Sequence, residues 1–344
     1  MKRTLALIFS CIMLLALLTA CGNDAATDAD QSGTTPDATE SSDLPASWPK
    51  GTITYECGYA AGGTQDLVIR ALAQYAEPIT GNSYYVENIT GGSGLIMVND
   101  VYGRDADGAT ACIYSCTIPT AEDFQYFPSD LLDSLMKANV QIYDQMQACA
   151  QVNVDYSAIF IRSDETRFTT FEELGEYVAA HPGELSFGAT GASGNGGLML
   201  QTFINKFGWD INPVYYDSTP EEKAAMLNGE LDIMCTTIAW MPSSEGFTCL
   251  GYSAETSDQD SYPGIATFKE QGYDFVATMR RGIFVKKGTD QSIVDYMEKL
   301  LGQICSDENY IADQAALNYT VDYASAAEMQ NSINTVVETY QNLK

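Results

Sequence analysis

Thr52-Ile53-Thr54-Tyr55-Glu56-Cys57-Gly58-Tyr59 runs directly into Ala60-Ala61-Gly62-Gly63-Thr64, and Leu67, Val68, Ala71, Leu72, Tyr75 and Ala76 follow at helical spacing. A strand-forming run, a glycine-rich bend and an amphipathic helix, in that order, make a β-loop-α unit, with Thr64 placed to cap the helix. The theme returns at Leu185-Ser186-Phe187, which enters Gly188-Ala189-Thr190-Gly191-Ala192-Ser193-Gly194 before a helix that runs to Phe207. In open α/β sheets, ligands sit beyond the carboxyl ends of strands, where helix N-termini offer free N–H groups and positive dipole. Glycines there let the backbone approach a ligand closely.

Outward from these two bends the alternation continues. Tyr84–Glu87 and Ala109–Ser115 read as strands, separated by Gly91-Gly92-Ser93-Gly94 and a helical Leu95–Tyr102. Tyr156–Ile161, Val214–Tyr216, Leu231–Cys235, Phe247–Tyr252 and Gly282–Lys286 are further strands, and the C-terminus is helical. Thr170-Phe171-Glu172-Glu173 is a capping box opening a helix that ends at His181-Pro182-Gly183. Thr219-Pro220-Glu221-Glu222 supplies an N-cap, a proline at the first helical position and a capping acid, closed by Asn228-Gly229. Strands alternating with helices predict an α/β fold of parallel sheets covered by helices on both faces. A length of 344 residues suggests two domains.

The 46 acidic residues against 17 Lys and Arg argue against nucleic acid as a partner, because phosphate neutralisation needs clustered cations. The single histidine, His181, rules out multi-His metal sites and reads as a helix-terminal residue on the dipole. No Gly-x-Ser-x-Gly elbow appears, and Glu172-Glu173 and Glu221-Glu222 are explained by first-turn dipole stabilisation. Gly188-x-x-Gly191-x-x-Gly194 resembles the dinucleotide fingerprint of extended short-chain dehydrogenases, with Asp210 about 20 residues on. Against an exported nucleotide-binding oxidoreductase stand the motif's mid-chain position and a lone Tyr-x-x-x-Lys, Tyr340 to Lys344, at the extreme terminus.

Lys2 and Arg3 precede an apolar run from Thr4 to Leu18 and then Leu18-Thr19-Ala20-Cys21, which reads as a secretory signal over residues 1–20. Leu-Thr-Ala-Cys resembles the bacterial lipobox, which implies lipidation of Cys21 and anchoring at an extracytoplasmic membrane surface; the alternative is an ordinary cleaved signal. Residues 21–47 carry six acids and no Lys or Arg, the composition of a flexible tether. Beyond Cys11 and Cys21 seven cysteines remain, an odd number. Cys112-x-x-x-Cys116 has no second Cys/His pair for zinc, so buried thiols are expected rather than a disulfide framework.

From Trp48 onward the motifs fall in a familiar order: Trp48-Pro49-Lys50-Gly51-Thr52, Tyr59-Ala60-Ala61-Gly62-Gly63-Thr64-Gln65-Asp66, Val86-Glu87-Asn88, Gly91-Gly92-Ser93-Gly94 and Asp107-Gly108. Pro182-Gly183-Glu184-Leu185, Gly229-Glu230-Leu231-Asp232, Tyr262-Pro263-Gly264-Ile265 and Arg281-Gly282-Ile283-Phe284 follow. The ordered set resembles the substrate-binding proteins of tripartite tricarboxylate transporters, the Bug receptors. That resemblance implies a type II periplasmic-binding-protein fold with two lobes, residues 48–150 plus 279–344 and residues 151–278, hinged about an interlobe cleft. It implies a monomer without catalysis or cofactor that delivers a small carboxylate to membrane permease subunits; a surface sensor is the other binding role. Carried over, the first loop contributes Tyr59, Ala60, Ala61, Gly62, Gly63, Thr64 and Asp66, with Asp66 orienting the loop. The second contributes Ala189, Thr190, Gly191, Ser193 and Gly194, with Tyr216 nearby.

Three positions depart from the family pattern. Its Pro-Tyr-Lys-Gly segment reads Tyr215-Tyr216-Asp217-Ser218, its loop-ending His is Gly197, and its Pro-Phe is Gly58-Tyr59. Exchange of Lys for Asp217 removes positive potential, which leaves an amino acid or a neutral ligand open beside a carboxylate. Arg280 or Arg281 can supply the missing charge, or belong to a solvated strand edge.

Overall fold

The computed structural model describes residues 44–118, 123–243 and 245–343; the signal, Cys21 and most of the tether lie outside the described residues. The chain opens with β1 (Thr52–Cys57), α1 (Thr64–Thr80), β2 (Ser83–Asn88), α2 (Leu95–Gly103) and β3 (Thr110–Ile118). Both β2 and β3 pair with β1 in parallel, and helices lie on both faces. In α1 the stripe Val68, Ile69, Leu72 and Ala76 is buried, and the helix stops where Gly81 turns left-handed and donates to the Glu77 carbonyl.

A second parallel trio forms further on. After α3 (Ser129–Gln145), β4 (Met146–Arg162) and α4 (Phe171–Ala180) come β5 (Ser186–Thr190), α5 (Asn195–Asn205), β6 (Asn212–Tyr216), α6 (Thr219–Leu227) and β7 (Ile233–Thr237), with β6 and β7 flanking β5. The capping box at Thr170 and Glu173 is formed as expected. The rest of the chain is β8 (Phe247–Tyr252), β9 (Thr278–Lys286), α7 (Gln291–Cys305), α8 (Glu308–Ala316), β10 (Thr320–Ser325) and α9 (Ala326–Asn342).

The two trios are joined by antiparallel strands, so the sheet is mixed rather than wholly parallel, in the order β2-β1-β3-β9-β4-β7-β5-β6. The 17-residue β4 is shared. Up to Tyr156 it pairs with β9 and β10, and from Ser157 it pairs with β7 and β8. The return crossing lies beside the outward one: the Ser157 amide donates to Ser253 Oγ, whose hydroxyl donates to the Ala277 carbonyl. Only the Tyr156–Ile161 end of β4 is evident in the sequence, because Gln147, Gln151 and Asn153 interrupt the apolar alternation of its first half, although Gln151 and Asn153 are buried and bonded to the β10 segment.

Two helix starts differ from expectation. Gly63, not Thr64, is the N-cap of α1, and no side chain caps that end. Ser218, not Thr219, caps α6 through its hydroxyl, which moves Pro220 one position inward. In both cases the displaced threonine becomes the first helical residue and lines a cleft.

Candidate ligand-binding cleft

Three helix N-termini converge on one space. Gly63 and Thr64 open α1, Asn195 and Gly196 open α5, and Ser218 and Thr219 open α6; all line one cleft between the two strand trios. The α1 and α5 ends have glycine N-caps and no capping side chain, so their first-turn N–H groups are offered to an outside acceptor. Strand ends add Ser115, Ser157, Thr237 and Arg281.

Arg281 is the cation of this cleft among the described lining residues. It is 3 % exposed, and its Nη1 donates to Asn153 and, at 3.2 Å, to Asp155 Oδ2. Asp155 Oδ2 also accepts from Thr237 Oγ1, so the counter-ion is tied down behind the guanidinium. Arg281 Nε is buried without a hydrogen-bond partner. A buried donor without an acceptor costs about 1–3 kcal/mol, which a bound anion would offset. Tyr59 adds a neutral phenol to the wall: burial pushes it up to about 12, opposed by Arg281.

The first loop is braced by charge. Gly62, with φ +82°, occupies the left-handed region that favours glycine, and its amide donates to Asp66 Oδ2 at 2.9 Å. Asp66 Oδ1 accepts from Asn88 Nδ2 at 2.8 Å and from Arg70 Nε at 2.9 Å. Burial alone would raise the Asp66 carboxyl, but the bonds from Arg70, Gly62 and Asn88 outweigh it and hold the group below the usual Asp value.

The second loop is braced by a buried, proton-holding acid. Glu222, expected to be an ordinary first-turn residue, is fully buried beneath the loop; it accepts from Thr190 Oγ1 at 3.0 Å and from the Cys235 amide at 3.1 Å. Burial pushes its carboxyl up to about 8 despite those two donors. Gly191, at φ +72°, donates its amide to the Tyr216 carbonyl at 3.0 Å. A side chain there would meet Ser93 Oγ, 2.8 Å from the Cβ position. Ser93 Oγ in turn accepts from the Ser193 amide at 3.0 Å, a direct contact between the second loop and the Gly91–Gly94 turn that precedes α2.

A second, narrow chamber adjoins the first and shares Tyr59, Gln65, Ser115 and Asn195 with it. Ser193 and Gly194 line it, together with apolar side chains from α3.

Of the residues singled out from sequence, Tyr59, Ala60, Gly63, Thr64, Thr190 and Arg281 line the first chamber, and Ser193 and Gly194 the second. Ala61, Gly62, Asp66, Ala189, Gly191 and Tyr216 line neither; Gly62, Asp66, Gly191 and Tyr216 act behind the walls through the bonds above. Asp217 is exposed and outside the lining, so its charge is not part of the cleft wall. A side chain at Gly197 would stand 2.2 Å from the Ala192 carbonyl, so no histidine fits this backbone. Sequence reasoning missed Gln65, Asn195, Ser157 and Thr237, and all of the α3 wall. Asn195 was findable as the residue after a glycine N-cap; Ser157 and Thr237 carry no local signal. All seven cysteines beyond Cys21 are free and buried. Asp210 precedes β6, at the opposite end of the parallel β5–β6 pair from the glycine loop, out of place for a dinucleotide's ribose.

Known proteins resemble the chain along most of its length. The model of the tripartite tricarboxylate transporter family receptor matches residues 68–341. A UPF0065 protein in the gbd 5′ region of Cupriavidus necator is 25% identical over 267 residues, covering 76% of this chain and 77% of that protein. The structure of the periplasmic binding protein BugD superposes with a TM-score of 0.73 at 22% identity, covering 86% of this chain and 97% of that one. MatC from Rhodopseudomonas palustris with bound malate gives 0.72 at 17% identity, covering 86% and 99%.

Proposed function

The chain belongs to the tripartite tricarboxylate transporter receptor family, and from that premise we propose that it captures a small carboxylate in the cleft between two lobes that hinge where the chain crosses at Tyr156–Ser157 and Ala277–Thr278. The family is one of solute-binding receptors. The observation that carries the reading is Arg281: a buried guanidinium facing a cleft, with Nε lacking an acceptor. A carboxylate supplies that acceptor, and the uncapped ends of α1 and α5 add positive dipole. The malate bound in MatC supports the class of ligand. No acid lines either chamber among the described residues, which favours an anion over an amine or an amino acid's ammonium group.

Ligand would bridge the loop at 59–64 and the loop at 190–194, and so stabilise the closed arrangement by its preference for that form. Delivery to membrane permease subunits as a monomer, with Cys21 lipid holding the receptor at an extracytoplasmic membrane surface, completes the proposal. No helix among the described residues is long and apolar enough to cross a membrane.

The test is a thermal-shift screen of the chain against carboxylates, amino acids and nucleotides, repeated on Arg281→Lys. Carboxylates should raise the melting temperature with the concentration dependence of a single site. Arg281→Lys keeps the charge beside Asp155 but loses the guanidinium fork, and should bind at least about tenfold more weakly. Stabilisation by nucleotides alone would reject the receptor reading.

A further inference from the structure

We propose that Asp155 is a fixed internal competitor for Arg281, which stabilises the unliganded cleft and limits how tightly a carboxylate is held; this rests on the carboxylate reading above and deepens it. The guanidinium divides its N–H groups between two sides. Its Nη1 donates to Asn153 and Asp155, both buried, whereas Nε has no acceptor. Its Nη2 meets the thioether of Met279, a weak acceptor. One edge is engaged by the protein and the other is open to a visitor.

Asp155 is held too firmly to step aside. Its Oδ1 accepts from the Tyr156 amide at 2.8 Å, and its Oδ2 accepts from the Thr237 hydroxyl as well as from Arg281. These bonds reach the outward lobe crossing and the end of β7, and they pin the acid behind the guanidinium. A carboxylate bound to Nε would stand within roughly 8 Å of Asp155, since both lie at hydrogen-bond reach of one guanidinium. Two like charges would then share one cation in a place that water screens poorly. Their repulsion loosens the visitor. Without Asp155, however, the unliganded protein would bury a lone cation, which is strongly destabilising. The acid weakens the hold on a ligand and stabilises the state that has released it.

The experiment is isothermal titration of the chain and of Asp155→Asn with acetate, malate, adipate and citrate, with thermal melts alongside. Asparagine keeps the shape and one acceptor oxygen but drops the charge, and Asn153 still holds Nη1. The variant should melt below the parent without ligand, yet bind the tightest of the four carboxylates at least about tenfold more strongly than the parent does. Its ligand-induced thermal shift should be larger to match. A residue that merely holds the arginine in place would move affinity the other way. Equal or weaker binding by Asp155→Asn, with the parent binding a carboxylate, therefore overturns this inference and leaves the carboxylate receptor intact. Should that variant not fold, Asn153→Asp sets a second acid on the same Nη1 and should weaken binding at least about tenfold. Unchanged or tighter binding there overturns the inference equally. No binding of any of the four to parent or variant overturns the carboxylate reading itself.

Discussion

The two glycine-rich loops look alike in sequence and are held by opposite chemistry. The first, at 59–64, hangs on an ionised carboxylate: Asp66 gathers Gly62, Asn88 and Arg70. The second, at 188–194, rests on a protonated one: Glu222, fully buried, takes donors from Thr190 and the Cys235 amide. The difference is one of solvent. Arg70 is 46 % exposed, so the Asp66 network keeps its charge with help from water, whereas burial without a charged partner among the described residues keeps the proton on Glu222. A bend of the same shape can thus be tied from either side of a titration.

The contrast breaks most sharply at Gly191→Val. A β-branched residue at φ +72° with Cβ against Ser93 Oγ should cost about 2–3 kcal/mol and abolish the carboxylate-induced thermal shift, while the unliganded melt stays cooperative. A full ligand response in that variant would remove the second loop from the site.

Asp66→Ala should lose about 2 kcal/mol at neutral pH, because the Gly62 amide and Arg70 lose a charged acceptor. Denaturant titration measures it. Since the Asp66 carboxyl is held below its ordinary value, its contribution is present above the unfolded pKa and is lost as pH falls through the folded one, so parent and variant should converge in acid.

Glu222 predicts the reverse. Its folded value, about 8, lies above the unfolded one, so the stability it contributes is complete below pH ~4.5 and is lost as pH rises toward 8. Glu222→Gln should flatten that decline and leave the variant more stable than the parent at pH 8 by on the order of 1 kcal/mol. Parallel stability curves from pH 5 to 8 would show that the acid is ionised in the fold.

The smallest effect sharpens the first loop internally. Gly63 has φ −76°, a conformation any residue adopts, with only the Ala60 carbonyl 3.3 Å from its Cβ position. Gly63→Ala should change stability by less than about 0.5 kcal/mol, whereas Gly62→Ala should lose about 1–2 kcal/mol for its left-handed φ. Equal losses would mean that the glycine pair serves approach to a ligand rather than backbone geometry.

Much of the architecture is legible from residues in order. The bends after β1 and β5, the capping box at Thr170 and the proline-started α6 are local chemistry, written within a few neighbouring positions. Where reading failed, a local rule met a tertiary demand. Thr64 and Thr219 are sound N-caps by type, yet each became the first helical residue in the cleft wall and the preceding residue took the cap. Glu222 has the pattern of a dipole-stabilised acid and is instead a buried strut. The first half of β4 hid because its buried polar residues are satisfied across strands far away in sequence.

Periodicity, glycine bends and caps were enough to establish an α/β chain with two loop-before-helix sites, because turn geometry and amphipathic spacing are set by residues that touch along the backbone. Which strands run antiparallel, which arginine is left with an unanswered donor, and that α3 lines the space beside the cleft were decided only when distant segments packed. Burial converts an ordinary side chain into an unpaired donor or a proton-holding acid, and burial is a property of the assembled fold rather than of any stretch of sequence.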